Sequence, residues 1–185
     1  FFGDWYITRA IAGGLPLNTV ISTDAFAECL QNHPATFEGR VLLAPTPTTH
    51  DARYTQQILD FVKRGGNAIF YGSLAGAPQP LLNALNIQTS APIEGNLDVT
   101  LNLAEDTFES KPAKRPLRHR VRDSDGGITE TLAQKTEPAT RVKITVAKGK
   151  ERRVYAVVRE PKNSRGGKIA WIRGTLPFEV TPDSL

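Results

Sequence analysis

"ILDFVKRGGNAIFYGSLAG", residues 58 to 76, decides the fold. With Tyr54, the apolar residues Ile58, Phe61 and Val62 fall at i, i+4, i+7 and i+8, one stripe along a helix. Lys63 and Arg64 place positive charge at the negative end of that helix. Gly65 follows as a residue able to turn left-handed and stop it. "NAIFY" (67 to 71) then reads as a strand buried on both faces, and Gly72-Ser73 as a second sharp turn.

The same grammar extends towards the N-terminus. "GRVLLAP" (39 to 45) is an apolar run with little alternation, a second buried strand ended by Pro45 and Pro47. Thr48 or Thr49 is placed to cap the helix that follows, with Asp51 in its first turn. Further back, "LNTVIST" (17 to 23) predicts a short β-branched strand. Thr23 or Asp24 is then the expected cap of "AFAECLQNH". "WYITRAIAGG" (5 to 14) predicts a helix stopped by paired glycines, and "PQPLLNALNI" (78 to 87) a short helix with Pro80 in its first turn. Strand and helix alternating over short connections predict an α/β fold, a parallel sheet with helices on both faces.

From residue 93 helical periodicity disappears. "NLDVTLNL" (96 to 103), "RVKITVA" (141 to 147), "RRVYAVVRE" (152 to 160) and "KIAWIRGTL" (168 to 176) read as strands, with "KGKE" as a hairpin turn. The stretch 109 to 127 reads as an exposed loop or long hairpin. The expected division is an α/β core over 1–92 and a β-rich extension over 93–185 that completes the same domain.

Charge is unevenly placed. Residues 1 to 110 carry 5 Lys/Arg and 11 Asp/Glu, a net of −6, and residues 111 to 185 carry 18 and 8, a net of +10. A basic half suits a polyanion or an acidic neighbour. "RPLRHRVR" (115 to 122) concentrates it, and Arg115, Arg118, Arg120 and Arg122 form a basic patch whose guanidinium forks match phosphate or sulfate. No aromatic residues interleave with that patch, which argues against nucleic acid as the partner. No apolar run approaches the ~20 residues of a membrane span. The single cysteine, Cys29, excludes an internal disulfide and any multi-cysteine metal site. The sequence opens Phe-Phe and has no methionine, so a piece of a longer protein is expected, with compartment left open.

The string from Phe37 to Gly76 resembles the class I glutamine-amidotransferase-like domain, a flavodoxin-like α/β fold. It is most similar to the non-catalytic version carried within glycoside hydrolases, as in the trimerisation domain of family 42 β-galactosidases. Pro45, Phe61-Val62, Gly65-Gly66 and Gly72-Ser73 carry the match, and "GGKIAWIRGTLPF" (166 to 178) resembles the closing strand. Active members read Gly-x-Cys-x-Gly at the turn after the strand. Here that turn is Tyr71-Gly72-Ser73-Leu74-Ala75-Gly76, with no cysteine.

If Ser73 took the nucleophile's place it would need a base. His33 follows a helix, and His119 lies between Arg118 and Arg120. His50 alone is placed near the same sheet edge as Ser73. Ligands of parallel α/β sheets bind outside the carboxyl ends of the strands, which singles out Thr23, Thr46, Thr48 and Ser73 as ligand-binding candidates. No catalytic residue, metal or cofactor is assigned. The resemblance implies a non-catalytic assembly domain from a larger, carbohydrate-active protein. Its expected partners are the parent's other domains and a second copy of itself. Two alternatives stand beside it: a small serine hydrolase using Ser73 and His50, and a polyanion- or sugar-binding module using Arg115 to Arg122.

Overall fold

A computed structural model describes residues 8, 11–12, 19–37, 39–102, 117–121, 126–161 and 165–174, with the backbone only for 117–121. The chain divides into two units, Phe1–Thr36 and Phe37–Leu185.

In the first unit, Thr8, Ile11 and Ala12 are helical, and the rest of the expected helix over 5–14 lies outside the described residues. The strand expected over 17–23 is not found where the chain is described. Residues 19–22 are irregular and Val20 is exposed. β-branched residues favour a strand only where neighbouring strands give them something to pack on. Helix α1 (Thr23–Asn32) begins two residues before the expected Ala25, because Ser22, and neither Thr23 nor Asp24, is its cap. The Ser22 hydroxyl accepts the Ala25 N–H at 3.2 Å, satisfying one of the amides a first turn leaves open. Phe26 and Leu30, four residues apart, are its buried face.

The second unit is α/β. Strand β1 (Val41–Pro45), helix α2 (Ala52–Lys63) and strand β2 (Asn67–Tyr71) form one βαβ unit. Helix α2 buries Thr55, Ile58, Leu59 and Phe61, so the packed face includes Ile58 and Phe61 of the stripe read from the sequence, while Tyr54 and Val62 are half-buried at its sides. Phe61 meets Phe37 edge to face at 6.0 Å. After α3 (Gln79–Leu85) come β3 (Ile87–Ile93), β4 (Gly95–Leu101), β5 (Leu117–Val121), β6 (Ile128–Leu132), β7 (Thr140–Lys148), β8 (Glu151–Arg159) and β9 (Ile169–Ile172).

Among the described residues, seven strands make one sheet in the order β1-β2-β9-β8-β7-β4-β5, and β3 pairs with β6 in a second, two-stranded sheet. Only β1, β2 and β9 run parallel, and the sheet continues antiparallel from β8 outward. The last described strand, β9, therefore lies against "NAIFY", and strands from both sides of residue 93 share the large sheet. Trp171 and Phe70 are register partners at its centre and both are fully buried. Ile93, Leu97, Ile128 and Val146 form a second core cluster, joining residues of the small sheet to β4 and β7.

The helix expected over 78–87 is shorter. Asn86 ends α3 in the left-handed region (φ 58°), and Ile87 opens β3 at once. Asparagine tolerates this conformation better than most residues. Its side chain also uses every group it has. Nδ2 donates to the Gln134 carbonyl (2.9 Å) and the Thr140 hydroxyl (3.2 Å), and Oδ1 accepts the Gln134 N–H (2.9 Å). Arg159 Nη1 donates to the Asn83 and Ala84 carbonyls at the same helix end.

Two glycine pairs set how closely β2 and β9 begin. A Cβ on Gly167 would overlap the backbone of Gly66, and one on Gly66 would overlap the Phe61 ring. Gly167 N–H donates to the Val62 carbonyl at 2.8 Å, so the backbone has no room to retreat.

Gly167→Ala is expected to cost about 3 kcal/mol, the upper part of the overpacking range, and more than Gly66→Ala, whose obstacle is a side chain. Urea unfolding of the two variants tests the order. Asn86→Gly keeps the left-handed turn and loses the side-chain bonds. Asn86→Ala is expected to be less stable than Asn86→Gly by about 1 kcal/mol, the left-handed penalty for a residue with a Cβ.

Candidate functional site

The carboxyl ends of β1, β2 and β9 form the edge where a parallel α/β sheet places its ligands. Three loops meet there and are laced by hydrogen bonds. Thr46 N–H donates to the Tyr71 carbonyl at 2.8 Å, and its hydroxyl reaches the same carbonyl at 2.9 Å. Thr49 N–H donates to Gly76 O at 2.9 Å, and Gly72 N–H to Ile172 O at 3.1 Å. The Trp171 indole N–H donates to Gly72 O at 2.8 Å. Gly72 itself turns at φ 109°, a conformation side chains with a Cβ rarely adopt.

Ser73 follows this turn, and its hydroxyl oxygen accepts the Ala75 N–H at 3.1 Å. That is a local serine turn, the bond by which a hydroxyl stabilises its own loop. The next amide, Leu74 N–H, points inward to Glu130 Oε1 at 3.0 Å. Glu130 is fully buried (0% exposed). Its second oxygen accepts the Thr129 N–H at 2.9 Å. Arg173, 2% exposed and just past β9, holds its Nε 3.8 Å from Glu130 Oε1 and donates from Nη2 to the Gly127 carbonyl at 3.2 Å. A carboxylate in the interior is tolerable only with such partners. Here they come from the turn after β2, from β6, and from the end of β9.

The residues singled out in the sequence occupy different roles. Thr46 is a lacing residue, half-buried, between the β1 and β2 loops. Thr48 is exposed, and its N–H and hydroxyl both donate to Asp51 Oδ2, at 3.0 and 2.9 Å. These bonds, the backbone one foremost, hold the Asp51 carboxyl below the usual carboxylate range. Thr23 opens α1 in the first unit and is exposed. His50 is exposed, and no hydrogen bond joins it to Ser73 among the described residues. His33 caps the C-terminus of α1 and is exposed, and Cys29 is half-buried within that helix.

Of the basic patch, Arg118 and Arg120 lie on β5, registered against Asp98 and Asn96 of β4. Their side chains, with Arg115 and Arg122, lie outside the described residues. Other arginines of the basic half turn inward. Arg153, 8% exposed, grips the Ala91 carbonyl with Nε and Nη2 at 3.2 and 2.7 Å. Arg159 sits 3.4 Å from Glu137 while closing α3. Part of the C-terminal positive charge is therefore structural. Among the described residues, no group of three or more His, Cys, Asp or Glu side chains could hold a metal ion. No described helix is long and apolar enough to cross a membrane.

Glu130 and Arg173 were missed in the sequence, although a signal exists for one of them. In "ITETL", Ile128, Glu130 and Leu132 share a face by strand alternation, which puts a carboxylate among apolar side chains. Such a residue needs a buried cation, and "IAWIR" supplies one directly after a buried strand.

No family model and no curated protein matches the sequence. Two solved structures align with part of this chain. Gan42B, a family 42 glycoside hydrolase β-galactosidase, aligns with a TM-score of 0.43 and 14% identity over 71% of this chain. A catalytic mutant of Gan42B from G. stearothermophilus aligns with a TM-score of 0.42, again at 14% identity over 71% of this chain. This chain spans 18% of the length of each.

Arg173→Met leaves the Glu130 charge buried without its cation and is expected to destabilise the chain by about 3–5 kcal/mol, read from denaturant midpoints. Asp51 gives a pH dependence. Its folded pKa lies below the unfolded value of about 3.9. Its contribution is therefore present above that value and lost as pH falls through the lowered folded pKa. The Tm gap between wild type and Asp51→Ala is expected to be full at pH 6 to 7 and to narrow below about pH 4, as followed by thermal melts across that range.

Proposed function

We propose that this chain is a non-catalytic, amidotransferase-like scaffold domain that serves assembly within a larger, carbohydrate-active protein. One observation carries the non-catalytic half: Leu74 N–H donates to the buried carboxylate of Glu130. In an acyl-transfer elbow, the amide after the nucleophile donates to the oxygen that becomes negative in the transition state. Here that donor already holds a negative charge. A second anion forming beside it would be opposed by the first in a low-dielectric surround. Ser73, meanwhile, stabilises its own turn through the Ala75 amide.

The parent's class rests on the sequence resemblance carried by Pro45, Phe61-Val62, Gly65-Gly66 and Gly72-Ser73. A domain with this lacing presents a fixed edge to its neighbours, and the expected contacts are the parent's other domains and second copies of the chain. Glycoside hydrolase association and an oligomer-forming role belong to this proposal.

Hydrolysis of glutamine and of a p-nitrophenyl acetate ester by wild type and Ser73→Ala tests the reading. Both proteins are expected to stay at the buffer rate. Turnover in wild type that Ser73→Ala abolishes would establish the serine hydrolase instead.

A further inference from the structure

The groups around Glu130 form a site in their own right. Leu74 N–H and Thr129 N–H donate to one carboxylate, and the Arg173 Nε stands 3.8 Å from it as an ion-pair partner, each supplied by a different segment. Backbone amides and a guanidinium are the donors with which proteins bind carboxylate ligands. Glu130 and Arg173 are both buried, at 0% and 2% exposure, so the donors face one another away from water. We infer that these donors form a carboxylate-binding site beneath the turn after β2, which the chain fills with its own Glu130 side chain. Its ligand class is the small aliphatic carboxylate.

The size of that ligand follows from the side chain. Replacing Glu130 by alanine removes Cγ, Cδ and both carboxylate oxygens and keeps Cβ. The deleted atoms are those of acetate. Formate lacks one carbon needed to fill the space, and propionate carries one too many for a packed interior. An empty Glu130→Ala site is polar and lined by donors, so it gains from an anion that fits. This inference goes beyond the scaffold reading and stands on the Glu130 geometry alone.

The test is thermal unfolding of Glu130→Ala in sodium acetate, formate, propionate and chloride at matched ionic strength and pH 7. Acetate is expected to raise Tm along a saturating binding curve, with formate and propionate weaker and chloride without effect. Wild type, its site filled, is expected to show no acetate-specific shift. An acetate effect no larger than that of chloride would overturn the inference. If Glu130→Ala does not fold in buffer, refolding yield in acetate against chloride gives the same reading, and equal yields overturn it. Glu130→Gln supplies the second check. It keeps the shape, removes the charge and turns an N–H₂ towards the donors. A lowered Tm without acetate rescue is expected, and a Tm equal to wild type would show that the site needs no anion. Failure of the rescue would leave the Ser73→Ala comparison untouched.

Discussion

A carboxylate buried in a protein must be matched group by group, and Glu130 shows what that requirement does to the surrounding chain. Its partners are an amide beyond β2, an amide of β6 and a guanidinium beyond β9. Each lies far from the others in sequence, so the pair forms only when the parallel strands and the small sheet are both in place. The energetic sense of such a pair is mostly negative. Removing one partner is costly, whereas an apolar replacement of the whole cluster can be neutral. Its role is then to fix which arrangement the chain adopts. The turn Gly72 to Ala77 is held from below by Glu130, from the side by Trp171 and Thr46, and within itself by Ser73.

The carboxyl edge of the sheet has an unusual character for an α/β protein. The geometry that makes an elbow useful is retained: a strand, a glycine at positive φ, and a small polar residue at the tip. The groups that would act on a substrate are already engaged. Ser73 accepts a local amide, and the amide after it is satisfied by an anion. Both bonds hold the turn in one conformation. The same accounting applies to the basic half. Arg153, Arg159 and Arg173 turn to carbonyls and carboxylates of their own chain, so net charge alone overstates what is offered to a partner.

How much was legible in the sequence depended on whether the cause was local. Ile58 and Phe61 of the α2 stripe, the β2 run, the stop at Gly65 and the β7–β8 hairpin follow from a few adjacent residues, whereas β1, expected as a buried strand, lies at the edge of the described sheet with Val41 and Pro45 exposed, because its second neighbour is not a local property. The strand expected over 17–23 failed where it is described, since composition supplies no partner strand. Strand β3 shares only Ile87 with the helix expected over 78–87, and neither it nor β6 is among the strands read from the sequence. In β3 only the two ends are buried, so no alternation marks it. The cap of α1 is Ser22 where Thr23 or Asp24 is expected, because all three are good caps and only geometry chooses among them. The pairing of Glu130 with Arg173 spans 43 residues, and no local pattern joins them. The charge on the apolar face of "ITETL" was nonetheless visible, and it is the kind of violation that points to a site.

The turn after β2 is a fixed structural element whose inward amide is held by Glu130. Amide hydrogen exchange at Leu74, followed by NMR, tests it most directly. An amide bonded to a fully buried carboxylate should exchange only when the surrounding structure opens, with protection close to that of Phe70 in the neighbouring strand. Exchange of Leu74 at the rate of a solvent-exposed loop amide would contradict the account.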